Sequence, residues 1–169
     1  MVEFFDVTAS STQGRNADAV FGATGANAFT TNQGCPSLSA PEGPAGDPGS
    51  KLCKPQSVAV DASGNLYVTD TTYGRVIEFD AAHMTTTSNA ANHILGVNAF
   101  TGSSLFSYFV CNGGGSPAQT TICDPTGLAT DPSGHLYVVD SGFSRVLEFR
   151  TPLANDGTGS AVNADVVLG

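Results

Sequence analysis

Residues 53–79 and 123–149 carry one pattern twice, with each shared residue displaced by 70 positions. The pattern runs Cys-x-Pro-x-x-(Val/Leu)-Ala-x-Asp-x-Ser-Gly-x-Leu-Tyr-Val-x-Asp-x-x-x-x-Arg-Val-x-Glu-Phe. A repeat on this scale implies an array, because a unit of this size cannot bury its apolar faces alone and must stack on its neighbours. The repeat unit therefore constrains the fold more than any single motif within it.

Residues 57–60 form a short β-branched run that stops at Asp61, Ala62, Ser63 and Gly64, a cluster of turn formers. Gly64 suits a position of positive φ, and Asp61 can accept local amide bonds, so a hairpin into residues 65–69 is predicted. A second turn over residues 70–74 leads into residues 75–79, where apolar and polar residues alternate as on a half-buried strand. Residues 93–96 supply a shorter fourth strand. The second copy repeats this plan at residues 127–130, 136–139, 146–149 and 165–168. The same register carries backwards to Val2, Glu3 and Phe4 as a third strand and to residues 19–22 as a fourth. Four antiparallel strands per unit predict the blade of a β-propeller, so the fold class is all-β, with about two and a half blades.

The run Pro-x-Gly-Leu-Ala-x-Asp-Pro-Ser-Gly-His-Leu-Tyr-Val-Val-Asp, followed by Arg-Val-Leu-Glu-Phe, resembles the NHL repeat. The resemblance covers nearly the whole chain, and its long insertions are similar to those of large secreted bacterial NHL-repeat proteins. It divides the chain into the last two strands of a partial blade (1–22), an insertion loop (23–56), a blade (57–96), a second loop (97–126) and a second blade (127–169). Tyr73 and Phe143 depart from the polar residues the family usually places in the second hairpin turn.

Closed propellers have about 4 to 8 blades, so two and a half imply the remaining blades of a parent propeller as partner. The phase of the repeat at both ends points the same way. With 6 Lys and Arg against 15 Asp and Glu, the net charge of −9 argues against a nucleic-acid partner, which would require clustered cations. No apolar run is long enough to span a membrane, and the first residues lack the basic start of a signal peptide.

Cys35 with Cys53, and Cys111 with Cys123, flank equivalent loops. Of the three possible connectivities, pairing within each loop is favoured, because each second cysteine precedes a fixed strand while each first lies in a Gly-rich segment. Each closure is worth roughly 3 kcal/mol on the chain-entropy estimate, and the spacings do not fit a zinc site. Disulfides imply an extracellular or cell-envelope location, bacterial by the resemblance.

Asp61, Gly64, Asp70, Arg75 and their counterparts Asp131, Gly134, Asp140 and Arg145 recur at turns. They are read as scaffold: aspartates capping turn amides, and an Asp–Arg bridge bracing the second hairpin. Tyr67 and Tyr137, with Leu66, Val68, Leu136 and Val138, are expected to pack between blades. His83, His93 and His135 are isolated in sequence, and no catalytic arrangement, metal site or cofactor is read. The long insertion loops are the candidate binding surface, with Phe29 and Phe100 before the first cysteines. Phe100, Leu105, Phe106, Tyr108, Phe109 and Asn112 form the candidate set in the second loop, where the aromatics either seal the gap between neighbouring blades or line a recognition surface for a polymer or protein.

The functional reading is a non-catalytic scaffold or binding module for a protein, carbohydrate or other extracellular ligand. One alternative is part of a metal-dependent propeller lyase or lactonase, implied by similarity to NHL-type enzymes, although matching histidines are missing here. Another is a blade unit that closes a ring as an oligomer.

Overall fold

The computed structural model describes residues 2–3, 19–21, 52–83, 91–96, 116–153 and 162–169. These residues form ten strands and three single-turn 3-10 segments, with no α-helix among them. Strands β1 (Val2–Glu3) and β2 (Ala19–Val20) pair antiparallel, Val2 opposite Val20. The first full blade orders β3 (Pro55–Val60), β4 (Leu66–Asp70), β5 (Arg75–Phe79) and β6 (His93–Leu95) side by side. The second orders β7 (Pro125–Thr130), β8 (Leu136–Asp140), β9 (Arg145–Phe149) and β10 (Val166–Leu168) in the same way. All pairings within the two blades are antiparallel. The fold is thus all-β, with two four-stranded propeller blades and a two-stranded part of a third.

The first strand of each blade starts two residues earlier than the β-branched run suggests, at Pro55 and Pro125. A register shift follows each proline, between Pro55 and Val58 and between Pro125 and Gly127. Proline lacks an amide donor and is tolerated at a strand's first position or a bulge, so the shift restores pairing one step later.

The first hairpin turn is closed twice over by its aspartate. Asp61 Oδ1 accepts the Ser63 and Asn65 amides at 2.9 and 3.0 Å, and Gly64 sits at φ +87°. Asp131 repeats this with Ser133 and His135, and Gly134 lies at φ +84°. The second hairpin contains a 3-10 turn, Thr71–Tyr73 in one blade and Ser141–Phe143 in the other. Each ends on a left-handed residue, Gly74 at φ 59° and Ser144 at φ 51°. Ser144 pays the side-chain penalty that Gly74 avoids, so Ser144→Gly is expected to stabilise the chain by about 0.5–1 kcal/mol. Thermal denaturation would show this as a midpoint about 1–4 °C higher.

Alternation along the strands gives blade one two apolar faces. Leu66, Val68, Ile77 and Phe79 pack with Ala19, Phe21 and Leu52, and the Phe21 and Phe79 rings meet edge to face at 5.2 Å. On the other face, Tyr67, Val76 and Leu95 join Leu136, Val138, Leu147 and Phe149 of blade two in one buried cluster. The seam carries polar ties as well. The Leu128 amide donates to Ser57 Oγ at 3.1 Å, Thr130 Oγ1 donates to the Val60 carbonyl at 2.9 Å, and Thr71 Oγ1 donates to the Pro125 carbonyl at 2.7 Å. The far face of blade two leaves Val139 and Leu168 exposed.

Candidate functional site

Both insertion loops lead into the rim where the first strand of a blade meets the end of its second, and that rim is organised by one carboxylate per blade. In blade one, fully buried Asp70 accepts the Cys53 and Lys54 amides on Oδ1 at 3.1 and 3.4 Å and pairs with Arg75 Nε on Oδ2 at 2.9 Å. In blade two, buried Asp140 accepts the Cys123 amide and pairs with Arg145 Nε at 2.6 Å. Burial pushes the Asp140 carboxyl up, against the downward pull of the Arg145 hydrogen bond. Neither aspartate caps its own 3-10 turn, contrary to the turn-capping role expected of them. Each side chain reaches back instead to the backbone that leads into the blade's first strand, 16 or 17 positions earlier.

The arginines finish the clamp. Arg75 lies over the Tyr73 ring and Arg145 over the Phe143 ring, each 5.1 Å from the centroid. The aromatic residues of the second turn thus serve as platforms for the guanidinium groups. Arg145 Nη2 also donates to the carbonyls of Ala118 and Thr121 at 2.9 and 2.7 Å. The Ala164 amide donates to the Gln119 carbonyl and the Gly142 amide to the Cys123 carbonyl, both at 2.9 Å. A side chain at Gly142 would overlap Cys123, whose Cβ is only 2.9 Å from where its Cβ would stand. The C-terminal end of the second loop is therefore seated on the rim by side-chain and main-chain bonds. Cys53 and Cys123 occupy equivalent places there, and neither is a free thiol.

A second polar row crosses the strands away from the rim. Tyr67, Glu78 and His93 stand abreast on β4, β5 and β6. Asp61 Oδ2 accepts Asn65 Nδ2 at 2.9 Å and the Tyr67 hydroxyl at 3.3 Å. Burial, with the charges of Asp61 and Glu78 nearby, holds the Tyr67 phenol well above its ordinary range. His93 Nδ1 meets Glu78 Oε2 at 2.9 Å. In blade two, His135 Nδ1 meets Asp131 Oδ2 at 2.9 Å and approaches Glu148 Oε1 to 3.7 Å, and Arg150 Nε bonds Glu148 Oε1 at 2.9 Å.

His93 and His135 look isolated in sequence, yet each has a carboxylate partner, in the case of His93 one that lies across a strand pair. The available signal was the facing register: once residues 75–79 and 93–96 are set antiparallel, Glu78 and His93 fall side by side. The loop set of Phe100, Leu105, Phe106, Tyr108, Phe109 and Asn112 lies outside the described residues, as do Phe29, Cys35 and Cys111. Among the described residues, no three His, Cys, Asp or Glu side chains are gathered to hold a metal ion. No helix of the described residues is long and apolar enough to cross a membrane.

The family description NHL repeat matches residues 52–79 and 123–149. Among solved structures, the chain is similar to a luciferin-regenerating enzyme, with 16% identity and a TM-score of 0.40. That likeness covers 70% of this chain and 31% of the enzyme, so the chain spans about a third of its length. No curated protein matches.

Proposed function

This is an NHL-repeat chain built of propeller blades, and from that premise we propose that it is a non-catalytic scaffold that presents its insertion loops to an extracellular protein or carbohydrate. The observation that carries this reading is the inward commitment of the rim. Asp70, Arg75, Asp140 and Arg145 spend their charges on one another and on loop backbone, which positions a loop and leaves recognition to the loop's own side chains. Cys53 and Cys123 pair with Cys35 and Cys111 in this proposal, closing each loop on itself, in a secreted or envelope protein. Further blades cover the far face of blade two, where Val139 and Leu168 stand exposed.

The test is a glycan and peptide array probed with the 169-residue chain and with a Phe106→Ala, Tyr108→Ala double variant. Specific binding that the variant loses, at an unchanged thermal midpoint, supports the proposal. A midpoint that drops by several degrees assigns these aromatics to packing and defeats the recognition reading.

A further inference from the structure

The two copies of the repeat hold the same glutamate in opposite electrostatic settings. Glu148, partly exposed on blade two, is bonded by Arg150, a permanent cation two residues on. At the position of blade one equivalent to Arg150 stands Asp80, an acid. Glu78 itself is fully buried, on the face of blade one that packs against blade two through Tyr67, Val76 and Leu95.

Among the described residues, its carboxylate has one hydrogen-bonding partner. His93 Nδ1, on β6, lies 2.9 Å from Oε2, while Oε1 has no hydrogen-bond partner among the described residues. Tyr67, its neighbour on β4, gives its hydroxyl to Asp61 instead. From blade two the seam is faced by apolar Leu136, Val138, Leu147 and Phe149. Asp61 and Asp80 add negative charge from the strand ends. A carboxylate in this position must therefore be held either by a charged imidazolium or by carrying a proton itself, since an isolated buried charge is costly.

We propose that Glu78 and His93 form a proton-dependent latch at the seam between the two blades. Holding a proton between them, the pair is neutral overall and the seam closes. When that proton leaves, a full negative charge remains in an apolar seam with a single hydrogen bond from a neutral imidazole, and the blades loosen against each other. The partly exposed His93, at 20% side-chain exposure, is the route by which solvent reaches the pair.

The direction follows from linkage. Burial raises the Glu78 carboxyl above its ordinary value, more than the His93 bond and charge lower it, and the charges of Asp80 and Asp61 add to the rise. The folded chain then keeps a proton that the unfolded chain releases, so stability is full below the ordinary glutamate range and falls as pH rises through the folded value.

The experiment compares urea denaturation of the chain and of Glu78→Gln from pH 3, below the ordinary glutamate range, to pH 8. The folding equilibrium constant of the natural chain is expected to fall by at least about tenfold relative to the variant, corresponding to one unit of displacement. Parallel curves would overturn the latch. Should Glu78→Gln not fold, the side-chain carbon of Glu78 in carboxyl-labelled natural chain reports directly by NMR. Titration above the ordinary glutamate range, moving downward in Asp80→Asn, supports the proposal; titration within the ordinary range refutes it.

Discussion

Asp70→Ala is expected to lower the unfolding free energy by about 3–5 kcal/mol, because it strands a buried guanidinium. Arg75 is only 5% exposed and pairs with Asp70 at 2.9 Å, and the Cys53 and Lys54 amides lose the same acceptor. Most of the cost comes from leaving Arg75 buried without its counter-charge, so the double variant Asp70→Ala, Arg75→Leu should recover a large part of it. Urea denaturation of the natural chain and the two variants decides the matter. A single variant within about 1 kcal/mol of the natural chain would show the clamp to be no more than an exposed surface pair.

The second large effect is expected at Phe149. Its ring is 1% exposed and belongs to the cluster that joins blade two to Tyr67, Val76 and Leu95 of blade one. Phe149→Ala should cost about 3–5 kcal/mol, the transfer of the ring plus the cavity it leaves. Because the lost contacts span the seam, the two blades should also become less cooperative, as expected for an array whose stability resides in neighbour interfaces. Circular dichroism and amide exchange in β4 and β8 would then show separated transitions in the variant and a single one in the natural chain. One shared transition at a lower midpoint would confine the role of Phe149 to its own blade.

What could be read from the chain was local. The Asp61 to Gly64 turn needs only four consecutive residues to specify a hairpin, and the alternation of Arg75, Val76, Ile77, Glu78 and Phe79 gives a strand with two distinct faces. The blade follows from these short-range signals repeated. Asp70 was harder, because its side chain leaves its own turn and stabilises backbone 17 residues earlier, a contact that exists only after β3 and β4 have paired. The Glu78 and His93 pair was harder still. The strict displacement that aligns the first three strands of the two copies changes on the fourth, where His93 faces Glu78 and Val166 faces Glu148. A reader who follows the repeat alone finds no second histidine at the matching place and sees no partner for the first. The difference between Asp80 and Arg150, by contrast, stands in plain view once the two copies are aligned, but it acquires meaning only from the burial of the glutamate beside it.

The polar ties between the blades have a mechanical consequence. Ser57, Val60 and Thr71 are bonded to Leu128, Thr130 and Pro125, so every one of these ties ends on β7, while toward β5, β6 and β9 the blades meet through apolar side chains and the Glu78–His93 pair stays within blade one. Hydrogen bonds resist sliding along a surface, whereas apolar contact resists separation but allows small shifts. Two leaves bound along one spine have their softest motion in opening like a book, and that motion would swing the loop-bearing ends of the outer strands while leaving the inner margin still.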